Sequence, residues 1–160
     1  MIFATVGTQL PFNRLIRTLD EWAASNPEVE VFAQTGTTQY VPGSINWQSR
    51  MSPKEFELKL KQCSMVVAHA GIGSIISAME LGKPIIVMPR KASLSEHRND
   101  HQLATAEEFR RKQLVQVAFD ASSLKEQLDA MDFLATGVSL VPQASPELLG
   151  KLRDFIRSEV

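Results

Sequence analysis

Short apolar runs alternate along the chain with longer segments whose apolar positions recur every three or four residues. The runs "IFATV" (2–6), "VEVFAQT" (29–35), "MVVAHA" (65–70), "KPIIVMP" (83–89) and "LVQVA" (114–118) are bounded by turn-forming residues and predict buried strands. A further short strand is expected at "INW" (45–47), after the turn-rich "VPGS". Between them lie helical patterns. Residues 11–25 place Phe12, Leu15, Ile16, Leu19 and Trp22 on one face, with Pro11 suited to the first turn. "SPKEFELKLKQC" (52–63) opens with Ser, Pro and Glu, as a capped helix should. Residues 73–82, ending at Gly82, and 99–112 predict two more helices, and 122–134 and 145–158 the last two.

Strands alternating with helices favour a parallel sheet covered on both faces, and short connections fit right-handed crossovers. The expected fold is α/β, a Rossmann-like doubly wound parallel sheet, with residues 1–160 forming a single domain. In such sheets ligands bind beyond the carboxyl ends of the strands, where strand order reverses. The loops at 7–11, 69–74 and 89–101 are therefore the ones that can carry chemistry.

Composition narrows the class of function. The chain has 160 residues, 44% apolar and 22% charged, with 17 Lys and Arg against 18 Asp and Glu. That near-neutral balance gives no strong field toward nucleic acid or anionic lipid. The lone Cys63, beside "MVVA", has no partner for an internal disulfide and reads as a buried filler in a reducing compartment. The N-terminus begins like a strand, without the basic and apolar regions of a secretory signal, so a cytoplasmic location is expected. The most apolar stretch, 64–89, is interrupted by His69, Glu80 and Lys83 and does not read as a bilayer span. Membrane contact, if any, is peripheral and borrowed from a partner.

Gly71, Gly73 and Ser74 stand between a strand and a helix, in "HAGIGSII". Two glycines there permit positive φ and close backbone approach, and the helix start offers free N–H groups and a positive dipole end to an anion. The same glycines also suit an ordinary tight turn. A dinucleotide fingerprint requires a third glycine where Ile76 stands, and an acidic residue about 20 positions on, where the next strand ends in "MPRK". The Walker pattern fails too, since the Gly-Lys-Pro at 82–84 leads into a strand. A nucleotide diphosphate held by the loop, the helix N-terminus and His69 survives both tests.

All three histidines, His69, His97 and His101, fall at the same predicted edge. His97 and His101, with Glu96 and Asp100 nearby, raise the question of a metal, but no third well-placed ligand is evident and no metal is expected. Alternatively, Asp100, His101 and Gln102 at a helix start bond the hydroxyls of a sugar, while Asn99 or Asp100 caps the helix.

"TVGTQLPFNRLI", "HAGIGSIISAMELGKPIIVMPR" and "EHRNDHQLATA", in this order, resemble the Alg13-like group of the family 28 glycosyltransferases. Within it the similarity is to the small bacterial PssE-like or EpsF-like subunits of exopolysaccharide and capsule glycosyltransferases. It covers residues 1 to 118. It implies the donor-binding, C-terminal half of a GT-B enzyme. Such a half takes part in inverting transfer from a UDP-sugar to a lipid-diphosphate-linked acceptor, without an essential metal or other cofactor. The acceptor half is then a separate, membrane-associated Alg14-like or PssD-like subunit, which would hold this chain at the inner face of the membrane.

Carried over by position, His69, Gly71, Gly73 and Ser74 resemble the diphosphate loop, and His101 with Gln102 the sugar-contacting pair. Gly7, Thr8 and Gln9 would face the same phosphates, or the acceptor, across the cleft. Residues 47–51 correspond to the uracil segment, although Trp47 is equally suited to the core. Where many relatives carry a ribose-binding glutamate this chain has Ser77, so Glu80, one turn later, takes that expectation. The base that removes the acceptor proton is either His97 or a residue of the partner. Two alternatives remain open: a non-catalytic nucleotide-sugar-binding regulatory module, and a UDP-sugar epimerase-like half domain. The amphipathic 145–158 segment either packs on its own domain or docks a partner.

Overall fold

The central strands are apolar on both faces, which requires that each face be covered. The computed structural model describes residues 1–131 together with positions 146, 147, 150, 151 and 154. In chain order the elements are β1 (Ile2–Thr5), α1 (Asn13–Ser25), β2 (Val31–Gln34), β3 (Asn46–Gln48), α2 (Pro53–Gln62) and β4 (Met65–His69). They continue with α3 (Ile72–Glu80), β5 (Ile85–Met88), a 3₁₀ turn at Ala92–Leu94, α4 (His101–Arg111), β6 (Gln116–Val117) and α5 (Ala121–Asp129). The expected 145–158 helix falls largely outside the described residues, and the partner role attached to it is not addressed by them.

The six strands form one parallel sheet in the order β3-β2-β1-β4-β5-β6. The chain thus runs outward from β1 to one edge, returns to β4, and runs outward to the other. The reversal between β1 and β4 is the topological switch point of a doubly wound sheet. Ile2 stands between Val31 and Met65 in register, which brings the carboxyl ends of β1 and β4 side by side.

Alternation along each strand divides the core in two. Ile2, Ala4, Met65, Val67, Ile86 and Met88 face α1 and α5, where they meet Leu15, Leu19, Trp22 and Leu124. Phe3, Val66, Ala68, Ile85 and Val87 face the opposite side, against Leu60, Ile75, Ala78, Ala106 and Phe109. Burying each of the larger aliphatic side chains among them contributes on the order of 1.5–3 kcal/mol before chain entropy is counted.

Several boundaries differ from the sequence expectation for local reasons. α1 starts at Asn13, with Phe12 at the N-cap and Pro11 outside the helix. Phe12 is fully buried, so core packing turns the chain there, before any helical turn has formed. α3 starts at Ile72 and its N-cap is Gly71. β3 lies one residue later than expected and is exposed along its length, and Trp47 is 42% exposed, at the surface rather than in the core. α2 matches its signal closely: Ser52 Oγ accepts from the Glu55 N–H while the Glu55 carboxylate accepts from the Ser52 N–H, with Pro53 in the first turn. Cys63 is buried, its Sγ–H donates to the Leu60 carbonyl, and burial pushes its thiol pKa up. No helix among the described residues is long and apolar enough to cross a membrane.

Candidate functional site

The loops after β1, β4 and β5 enclose an open cleft of about 590 Å3 at the carboxyl edge of the sheet, at the switch point. Its walls bring together Gly7, Thr8, Gln9, His69, Gly71, Gly73, Ser74, His97 and Gln102. Met51, Pro53 and Phe56 add an apolar wall after β3, at one end of the segment expected to meet a base. Ser77 also faces the cleft.

His69 ends β4, and the strand register fixes its ring beneath the first loop. Its Nδ1 lies 3.4 Å from the Thr5 carbonyl. A neutral ring that donates from Nδ1 keeps its lone pair on Nε2. Burial, then the Arg90 charge, lowers the His69 pKa from 6.5 to about 4, against the opposing effect of the Thr5 carbonyl. The imidazole therefore rests neutral at physiological pH.

The glycines are explained by this ring. A Cβ on Gly71 would stand 2.2 Å from His69 Nε2, and one on Gly7 2.9 Å from His69 Cε1. Gly7 also has φ of +75°. Gly71 has φ of −86°, and a Cβ on Gly73 would meet nothing within 4 Å. The expectation that the glycine pair supplies positive φ is thus corrected: Gly71 is needed for space beside His69, and Gly73 leaves open space at the cleft. Because Gly71 carries no side chain, the N-terminus of α3 has no side-chain cap. The N–H groups of its first turn precede the intrahelical ladder, whose bond from Ile75 reaches back to Gly71. Those N–H groups and the helix dipole make this end of the cleft suited to an anion.

Two expected residues lie elsewhere. His101 opens α4 exposed to solvent, with its N–H bonded to Asn99 Oδ1 at 2.9 Å, and it does not line the cleft. Adjacent helical positions diverge by about 100°. When Gln102 turns inward, where its Oε1 accepts the Arg90 N–H at 3.1 Å, His101 must turn out. Glu80 ends α3, exposed and outside the cleft lining. Eight residues beyond the helix start, it lies about 12 Å along the axis from the N-terminal end.

Around His97, the neighbouring acids are already engaged. Glu96 gives both oxygens to Arg14, at 2.8 and 2.9 Å, and accepts the Lys91 N–H. Asp100, the N-cap residue of α4, accepts the Ala92 N–H through Oδ1 and makes no side-chain cap bond, while Asn99 Oδ1 accepts the His101 N–H. His97 Nδ1 accepts the Asn99 N–H at 3.4 Å, which leaves the proton of the neutral ring on Nε2. Among the described residues no group of three His, Cys, Asp or Glu side chains is placed to hold a metal.

Sequence reasoning passed over Thr5, Gln34 and Arg90, which form the floor. Thr5 Oγ1 donates to Gln34 Oε1, and Gln34 Nε2 donates to the Gly7 carbonyl at 3.1 Å. Arg90 donates to the carbonyls of Val6, Pro11 and Glu96. The available signal was an arginine directly after the apolar run "IIVMP", at the ligand edge of the sheet.

Comparison with known proteins places these features in a family. The glycosyltransferase family 28 C-terminal domain matches residues 1–136. The chain is 28% identical over 141 residues to the UDP-N-acetylglucosamine transferase subunit ALG13 of Yarrowia lipolytica, covering 78% of this chain and 67% of that protein. It superposes on the NMR solution structure of ALG13 with a TM-score of 0.62 at 20% identity, covering 98% of this chain and 93% of that one. The calicheamicin glycosyltransferase CalG4 matches with a TM-score of 0.58 at 13% identity, covering 98% of this chain but only 36% of that enzyme. The two superpositions establish a common fold.

Proposed function

Since the chain belongs to the glycosyltransferase family 28 C-terminal domain family, we propose that it is the donor-binding subunit of a two-component inverting glycosyltransferase. The donor is a UDP-sugar and the acceptor a lipid-linked diphosphate. The observation that carries this reading is the cleft at the β1/β4 switch point, where an uncapped helix N-terminus, His69 and Ser74 converge. Departure of UDP from the anomeric carbon develops negative charge on the diphosphate, and fixed N–H groups, the Ser74 hydroxyl and the dipole of α3 would stabilise it as it forms. With its lone pair on Nε2, His69 would receive either a ligand hydroxyl or, once an anion is bound beside it, a proton. Gln102 would contact the sugar through its amide nitrogen, and Thr8 and Gln9 would face the phosphates from the opposite wall.

A cleft open on one side supports a second chain as the acceptor half, an Alg14-like or PssD-like subunit that holds the assembly at the membrane. The match to a transferase subunit supports the same division. It also makes UDP-N-acetylglucosamine the first donor to test. In a bacterial cell the product would enter exopolysaccharide or capsule assembly. The acceptor-activating base is either His97, which lines the cleft, or a group supplied by the partner, since the described wall residues include no carboxylate. Calorimetry with UDP, uridine and a panel of UDP-sugars tests donor binding, and co-expression with the partner followed by transfer to a lipid diphosphate tests the reaction. Paired subunits that bind UDP yet transfer no sugar from any UDP-sugar would leave a non-catalytic binding module in its place.

A further inference from the structure

Arg90 is only 2% exposed and is the largest fully buried side chain among the described residues. Its guanidinium stacks on the Phe12 ring, 4.7 Å from the centroid. Its hydrogen bonds go to backbone carbonyls: Val6 at 2.6 Å, Pro11 at 3.0 Å and Glu96 at 3.1 Å. Among the described residues it makes no salt bridge, because Glu96, the nearby carboxylate, gives both oxygens to Arg14. Two guanidinium groups thus share one carboxylate beneath the cleft. A buried cation without a direct ion pair is costly, even with a carboxylate nearby to offset it through space.

The bonds of Arg90 also orient the loop above it. Val6 and Pro11 begin and end the segment that carries Gly7, Thr8 and Gln9, and both of their carbonyls are drawn inward. Gln34 draws the Gly7 carbonyl inward as well, and Thr5 Oγ1 accepts the Gly7 N–H at 3.3 Å. The negative ends of three peptide units are therefore withdrawn from the cleft. Thr8 and Gln9, exposed on its wall, donate no backbone bond to another described residue. On the far side, the backbone N–H of Arg90 holds Gln102 Oε1.

We propose that Arg90 is a positioning residue for the diphosphate of the donor. It holds the 6–11 loop with its carbonyls inward and places beneath the phosphates a positive charge that Glu96 offsets only through space. The inference rests on the reading of the cleft as a nucleotide-diphosphate site and adds the device that orders its first wall. Arg90 lines the floor of the cleft with only 2% of its surface exposed, and acts through the loop and through its field.

UDP and uridine, which share the nucleoside and differ in the phosphates, separate this role from simple support of the fold. Calorimetry on the full chain should show wild type preferring UDP. Arg90→Met should weaken UDP binding by about tenfold or more while changing uridine binding by less than about twofold. Arg90→Lys, which restores the charge without the planar fork, should recover part of the UDP preference. A folded Arg90→Met protein with the wild-type ratio of UDP to uridine affinity overturns the inference and leaves the donor-site reading intact. A wild type that binds UDP no better than uridine overturns both. Should neither variant fold, amide exchange of wild type decides: UDP, but not uridine, should slow exchange at Thr8 and Gln9, and unchanged exchange there overturns the proposal.

Discussion

Replacing His69 with glutamine isolates one buried titratable group whose effect on stability can be worked from the structure. In the fold, burial and then Arg90 hold the imidazole pKa at about 4, against 6.5 for an open chain. Above the open-chain value the ring is neutral in both states and gives stability no pH dependence. As pH falls below it, the unfolded chain takes up a proton that the fold refuses until about pH 4, so stability is lost across that window. At about 1.4 kcal/mol per unit, the complete loss is about 3 kcal/mol, of which about 2 kcal/mol has gone by about pH 5. Urea denaturation of wild type and His69→Gln at about pH 7 and about pH 5 reads the effect as a difference between the proteins. That difference removes the acid-side loss from Asp20. Burial raises the Asp20 carboxyl, but bonds from Tyr40, Ser44 and Gly43 outweigh it and hold the pKa below its ordinary value. Wild type should lose about 2 kcal/mol more than the variant over this interval. Parallel losses in the two proteins would refute a neutral, desolvated His69 and the wall geometry derived from it.

Gly71→Ala should destabilise by about 1–3 kcal/mol, since its Cβ would stand 2.2 Å from His69 Nε2 and must displace the ring. Gly73→Ala, with open space around its Cβ and a place in the first turn of α3, should be neutral or stabilising by up to about 1 kcal/mol in thermal denaturation. Glu96→Ala strips the carboxylate from Arg14 and the Lys91 N–H and should cost about 3–5 kcal/mol by urea denaturation. Ser52→Ala breaks the capping box of α2 and should cost about 1 kcal/mol by the same measurement, without altering UDP binding.

The elements were legible because each is a local matter. Uninterrupted apolar runs mark strands buried on both faces, and the Ser52-Pro53-Glu55 start announces α2 by the bonds it forms. The boundaries were less so. α1 begins at Asn13 because Phe12 must enter the core, which no propensity at Pro11 records. β6 is only two residues long, since it pairs with β5 alone at the edge of the sheet.

The site divides in the same way. His69, Gly71, Gly73 and Ser74 were readable as a strand-to-helix turn at the ligand edge, because the relevant atoms belong to neighbouring residues. His101 and Glu80 were not separable from Gln102 and Ser77 in sequence, because which helical position turns inward depends on what lies beneath. Arg90 looked like the end of a strand. Its partners are Val6 and Pro11, some eighty positions earlier, and only the pairing of β1 with β4 and of β4 with β5 brings them within reach.

The sequence by itself determined the alternation of strands and helices, the parallel sheet that follows, and the loops that gather at its carboxyl edge, since hydrophobic period, turn residues and chain direction are written locally. The tertiary structure decided that Gly71 serves the His69 ring rather than a special φ, that Gln102 faces in while His101 faces out, and that a buried guanidinium underlies the cleft. Those outcomes depend on desolvation and on contacts between distant segments, which exist only once the sheet has assembled.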